Sequence, residues 1–216
     1  EPSTRIYPGL KQGGYHAAPP FFKSGQILDE MVRCIAQITG NAKYAHSEVG
    51  YLEEVPSELE EVKGKRAEQL EIEFLPTPIT ETGDILMLAR WVIRNVAYKY
   101  GFVATFTPKI EEGIAGNGLH VHMMLKKKDK NIMTTESGSL TTDARKLIGG
   151  LCTYADSLTA FGNTVSSSYL RLIPAQEAPT RICWSDLNRN GMIRVPLGWS
   201  DANNLVMKIN AREEIP

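Results

Sequence analysis

The stretch GNGLHVHMML, Gly116 to Leu125, alternates with a period of two. On a strand that period sends His120 and His122 to one face, with Met124 beyond them. Leu119, Val121, Met123 and Leu125 then point to the other, core-facing side. Gly116 and Gly118 mark a place where the chain turns sharply or where a ligand approaches the backbone. Two imidazoles beside a backbone stripped of side chains suit a metal or phosphate site, and an ordinary strand with a solvated histidine face has the same pattern.

Other alternating segments surround this one. GFVATFTP (Gly101–Pro108) reads as a neighbouring strand joined to it through KIEEGIAGN. EQLEIEFL (Glu68–Leu75) puts Leu70, Ile72 and Phe74 on one face and Gln69, Glu71 and Glu73 on the other, and GMIRVP (Gly191–Pro196) is a short strand closed by proline. Helical periodicity appears from about Gln26 to Thr39, from about Asp84 to Tyr100 with Ile85, Leu88, Ala89, Val92 and Val96 inward, and from about Thr142 to Phe161. Gly40, Gly101 and Gly162 stand where those helices stop. Helices interspersed with hairpin-linked strands predict an α+β fold with an antiparallel sheet. Tyr51 to Arg66, dense in charge and poor in apolar residues, is expected to be an exposed excursion.

The 216 residues carry a formal net charge of −1 and are 42% hydrophobic, enough chain to bury a substantial core. No basic face points to nucleic acid, and no run is long and apolar enough to span a bilayer. Lys126, Lys127, Lys128 and Lys130, interrupted by Asp129, read as a solvated hairpin tip. Cys34, Cys152 and Cys183 form no CxxC pair, so reduced thiols and a cytoplasmic location are expected. The chain begins without Met and stops at NAREEIP, and is expected to be a piece of something longer.

Glu48, Glu71, His120 and His122 lie on polar faces. Carboxylates with imidazole suit Mg²⁺ or Mn²⁺, histidine moving the preference toward Mn²⁺. Arg171, Glu177, Arg181, Arg189 and Arg194 follow downstream, and arginines beside metal ligands suit a transferring phosphoryl group.

GGYHAAPP (Gly13–Pro20), HSEVG (His46–Gly50), EQLEIEF (Glu68–Phe74), TPKIEEGIAGNGLHVH (Thr107–His122), SSSYLRLIPAQEAP (Ser166–Pro179) and NRNGMIRVP (Asn188–Pro196) occur in the order of the sequence blocks of glutamine synthetases. The chain resembles that family from about Gly13 to Pro196. The resemblance implies a curved antiparallel sheet with packed helices, and residues 1–216 forming a single partial catalytic domain without the family's N-terminal β-grasp domain and C-terminal part. It implies ATP-dependent ligation of ammonia to glutamate through γ-glutamyl phosphate, with ATP and Mg²⁺ or Mn²⁺ as cofactors. Glu48, Glu71 and His120 are then metal ligands. His46, His122, Arg189 and Arg194 contact nucleotide, Gly116 and Arg171 hold glutamate, and Glu177 and Arg189 are catalytic. Partners would be glutamate, ammonia and ATP in a homo-oligomer of stacked rings with active sites between subunits, and the 216-residue chain alone would be inactive. Departures from the family's blocks at Ala115, Lys43 and Met124 leave room for a γ-glutamyl ligase of another amine, or for a non-catalytic relative.

Overall fold

A computed structural model of the chain describes residues 9–11, 13–174, 178–186, 191–195 and 207–209. The chain divides into two compact units, one ending at Phe106 and the other starting at Thr107.

In the first unit, helix α1 (Gly25–Thr39) leads into strand β1 (Ala42–Leu52), which pairs antiparallel with β2 (Ala67–Phe74) before helix α2 (Ile79–Lys99). The helices bury Ile27, Met31 and Ile35 against Ala89, Val92, Val96 and Ala97, with Ile72 and Phe74 of β2 packed on this core. Gly40, at φ 69°, closes α1 in the left-handed conformation, its N–H donating to the Ala36 carbonyl, as a glycine past a helix end does. The other end of α1 is capped from a distance. The Glu68 carboxylate accepts from the Lys23 and Ser24 amides and the Ser24 hydroxyl, placing a negative charge at the helix's positive end. Helix α2 begins five residues before Asp84, after Pro78. Its first turn carries Ile79, 80% exposed, so no inward periodicity announces it. Leu88, expected inward, is 45% exposed.

The expected strand at Gly101–Pro108 does not form, and residues 102–107 have no ladder partner among the described residues. Gly101 takes φ 73° and the Phe102 amide donates to the Ala97 carbonyl, so the segment first serves to close α2. Phe106 then lies beneath Arg90 and Arg94, whose guanidinium carbons stand 4.5 and 5.0 Å from the ring centre.

In the second unit, β3 (Val121–Met123), β8 (Met207–Ile209), β7 (Ile193–Arg194) and β6 (Trp184–Ser185) form one sheet in that spatial order. Its β3–β8 and β7–β8 pairings are antiparallel, while β6–β7 is parallel. Met133, Ala144, Ile148, Ala155, Met192, Ile193 and Val195 form the core. The mixture of helices with small, mostly antiparallel sheets is the α+β architecture expected from the sequence. The lysine-rich tip is the turn between β4 (Lys126–Lys127) and β5 (Lys130–Asn131). Lys128 and Asp129 both have positive φ, 49° and 61°, matching a two-residue turn to strand twist.

The single helix expected from Thr142 to Phe161 is two, α3 (Thr142–Thr153) and α4 (Ala155–Gly162), separated at Tyr154. The bend turns Tyr154 out to solvent and seats Ala155 in the core. Thr141 caps α3 through its hydroxyl, which accepts from the Ala144 amide. A short helix, α5 (Ser166–Tyr169), follows.

Candidate active-site residues

The β1–β2 register sets His46 directly opposite Glu71. Glu48, two residues beyond His46, returns to the same face by the period of the strand. The result is a cluster of three donors: His46 Nε2 lies 3.5 Å from Glu71 Oε2, and His46 Nδ1 lies 3.7 Å from Glu48 Oε1. One ligand atom from each residue falls within 4.8 Å of the other two. Ligand bonds of about 2.0–2.2 Å put two donors on one ion no more than about 4.4 Å apart; the 3.5 and 3.7 Å pairs lie inside that reach and the 4.8 Å outer limit of the cluster just beyond it. The donor chemistry, one imidazole and two carboxylates, suits a divalent cation.

The cluster is braced by a turn that the sequence does not advertise as functional. The buried Ser47 hydroxyl donates to the Gly14 carbonyl at 2.7 Å and accepts from the Ala17 amide at 2.8 Å. The His16 amide donates to the Ser47 carbonyl at 3.0 Å. These bonds lay the His16 ring on His46, centroids 4.1 Å apart and planes 12° from parallel, with Tyr15 edge-on to both. Tyr44 adds a fourth ring 5.7 Å from His46. The signal for His16 was the GGYH segment itself, but nothing in a sequence says which strand a turn folds onto. Beside the cluster, Glu73 takes a 3.0 Å contact from Lys43 and a 2.6 Å hydrogen bond from the Tyr44 hydroxyl. That hydrogen bond, with burial and the carboxylate's charge, holds the Tyr44 phenol well above the usual tyrosine range.

In the second unit Gly116 and Gly118 form a cradle for Arg171. A Cβ on Gly116 would lie 2.5 Å from the Pro108 carbonyl oxygen and 2.8 Å from Arg171 Cγ. One on Gly118 would lie 2.7 Å from Arg171 Nη2 and 3.7 Å from His120 Nε2. Gly116 is therefore required by close approach to the main chain, Gly118 leaves room for the mobile end of Arg171, and together they bring Arg171, which is buried, next to His120. Asn117 fastens the loop, its amide donating to Pro108 O at 2.8 Å and its side chain to Thr107 O at 2.7 Å. The buried Lys109 ammonium donates to the Ile114 carbonyl.

His120 immediately precedes β3 and His122 sits within it, opposite Lys208; both are exposed, and Val121 and Met123 are half-buried. The expected alternation holds over these positions and ends there. Met124, expected beside the histidines, packs instead against the core, because β3 stops at Met123. Arg194 lies in β7, and its Nε is buried without a hydrogen-bond partner among the described residues, a donor suited to an anion. Glu177 and Arg189 lie outside the described residues.

The family model for the glutamine synthetase catalytic domain matches residues 4–212. The chain belongs to the glutamine synthetase family. It is similar to the glutamine synthetase of Frankia alni, 35% identical over 189 residues that make up 87% of this chain and 37% of that protein. It is also similar to that of Pyrococcus abyssi, 40% identical over 147 residues, 68% of this chain and 33% of that one. The chain thus spans about a third of the length of these relatives. Its fold is similar to that of a Plasmodium falciparum glutamine synthetase solved by cryo-electron microscopy. The TM-score is 0.75 at 23% identity, covering 94% of this chain and 37% of that one. The six blocks read from the sequence, Gly13 to Pro196, all fall inside the matched range.

Proposed function

We propose that this chain supplies catalytic-domain machinery to an enzyme that ligates ammonia to L-glutamate at the expense of ATP, through a γ-glutamyl phosphate. The carrying observation is the His46–Glu48–Glu71 cluster inside a chain of this family. Glu48, Glu71 and His120 would hold divalent cations, Mg²⁺ or Mn²⁺, which when bound spread the charge of a transferring phosphoryl group. Arg171 would grip a carboxylate of glutamate over the Gly116 backbone, its planar fork offering two parallel donors. Arg189, Arg194 and His122 would take the phosphates of ATP. Glu177 would draw a proton from ammonium, which must be deprotonated before it can attack. The whole protein would be a homo-oligomer of stacked rings with active sites between subunits, in the cytoplasm. No helix among the described residues is long and apolar enough to cross a membrane.

A second reading is a γ-glutamyl ligase for another amine. It is favoured by Ala115, which brings no side-chain amide to the cradle, and by Lys43, which engages Glu73 at 3.0 Å. One assay separates these readings: the protein carrying this domain is given ATP and glutamate with ammonium or with a panel of primary amines. Glutamine formation from ammonium is expected, and Glu177→Gln is expected to lower it about a hundredfold or more while ATP hydrolysis persists. Turnover confined to another amine would select the second reading, and no ATP-dependent product with any amine would sink both.

A further inference from the structure

Helix α2 carries two apolar faces, and the core of its unit uses only one. Ala89, Val92 and Val96 are buried in the core shared with α1. On the opposite side Met87 is 64%, Trp91 62% and Tyr98 84% exposed, and Asp84, Met87, Leu88 and Trp91 line a shallow hollow. Single exposed apolar side chains are ordinary. A row of large ones along one helix face marks a contact surface.

Thr80, Asp84, Met87, Trp91, Arg94 and Tyr98 follow one another at alternating steps of four and three residues, the spacing of a seam between helices. At about 100° per residue, all six lie within about 40° of one line along the helix, on the side away from Ala89. The row is also symmetric about Ala89: Met87 and Trp91 stand two residues to either side, Asp84 and Arg94 five, Thr80 and Tyr98 nine. Two copies laid antiparallel across a two-fold axis at Ala89 therefore set Met87 against the partner's Trp91 and Asp84 against the partner's Arg94, each pair formed twice. A parallel arrangement would set like charge on like charge at both positions, which is unfavourable. Asp84 makes no ion pair among the described residues, and Arg94 is steadied over the Phe106 ring at 5.0 Å. Both are exposed.

We propose that the solvent face of α2 is an interface for a second copy of this chain, the two helices pairing antiparallel about Ala89. Trp91 is the anchor, a residue type enriched at the energetic centres of interfaces, and it falls over the partner's Met87 at the hollow. The Asp84–Arg94 pairs set the direction of pairing rather than supply most of its strength. The contact is isologous, the same patch on both copies, and so closes on itself as a dimer, unlike the head-to-tail contact that joins unlike patches around a ring. One helix from each copy covers less than the roughly 1,200 Å² of a standard interface, so the dimer is weak, dissociating on the order of 10–100 µM. Nothing in this proposal depends on the ligase reading.

Sedimentation of the 216-residue chain over a concentration series tests this directly. The wild type is expected to pass from monomer to dimer, and Trp91→Ala to weaken the dimer about tenfold or more. Asp84→Arg and Arg94→Asp should each weaken it about tenfold, because each turns two attractive pairs into two repulsive ones. Mixing these two variants is the decisive arm. Across an antiparallel two-fold the new Arg at 84 meets the new Asp at 94, while the native Arg94 of one copy meets the native Asp84 of the other. A heterodimer within about threefold of wild-type affinity should therefore form although neither variant self-associates well, which also shows that both are folded. A wild-type chain that stays monomeric throughout would overturn the proposal and leave the face to another part of the parent protein or to a different partner. A dimer indifferent to Trp91→Ala and to both charge reversals would place the contact elsewhere and overturn it too. Two weakened variants that fail to rescue each other would overturn the antiparallel pairing.

Discussion

His46 and Glu71 meet across strands of 11 and 8 residues, whereas Arg171 lies on Gly116 and Gly118 in a unit whose longest described strand has 3 residues. The acid–imidazole cluster is placed by register: backbone ladders fix which side chains oppose one another, and the chemistry follows from alternation. The glycine–arginine cradle is placed by subtraction, where missing side chains let a buried guanidinium approach the main chain. The first arrangement should tolerate changes in side-chain volume and fail when its bracing hydrogen bonds are lost. The second should do the reverse.

The sharpest break between them is Gly116→Ala. The new Cβ would collide with the Pro108 carbonyl oxygen, a backbone atom already bonded to the Asn117 amide and unable to step aside. We expect a loss of about 1–3 kcal/mol in stability, read as a lower urea midpoint at unchanged slope; an unchanged midpoint would mean that the cradle yields. Next is Ser47→Ala in the cluster, which strips a buried hydroxyl from the Gly14 carbonyl and Ala17 amide. About 1–2 kcal/mol should be lost, together with faster hydrogen exchange at Ala17, and full retention of both would show that the turn does not depend on this bond. Gly118→Ala should cost no more than about 0.5 kcal/mol, since the only close atom is the movable end of Arg171. It should instead displace the guanidinium and raise the glutamate requirement, so a stability loss matching Gly116→Ala would erase the distinction drawn within the cradle.

The smallest effect is electrostatic. Tyr44 is held neutral by Glu73, so its folded ionisation lies above that of an unfolded tyrosine, near 10. The linked stability is fully present below the unfolded value and is lost as pH rises through the folded one. Glu73→Gln should bring phenolate formation down toward the ordinary value in an ultraviolet absorbance titration and leave stability at neutral pH almost unchanged. An unshifted titration would assign the perturbation to burial instead.

Much of this was legible in the chain. The first helix was readable almost to the residue, because an apolar stripe ends at a glycine built for a left-handed cap. The second was read too short, since its first turn faces solvent and carries no stripe. Gly101–Pro108 alternates like a strand, yet alternation describes a face and cannot supply a ladder partner. The break at Tyr154 has no glycine or proline at the junction to mark it. For the site, residue type alone picked out Glu48, Glu71, His120 and Arg171. The facing of His46 and Glu71 depends on a register that shifts between Ser47 and Tyr51, and the seating of Arg171 joins residues far apart in sequence. Neither leaves a local trace, nor does the stacking of His16 on His46.

The connection between β1 and β2 carries a consequence for how such a protein changes over generations. Its base is clamped where the Val55 amide donates to Lys65 O and the Gly64 amide donates to Val55 O, and its outer part, including Leu59 at 66% exposure, stands in solvent. Closing a longer flexible loop adds only about 0.6 kcal/mol for each doubling of length. Insertions and deletions beyond the clamp are therefore nearly invisible to the pairing of His46 with Glu71, and this segment can drift, acquire charge or take on a new binding role while the donors beneath it keep their spacing.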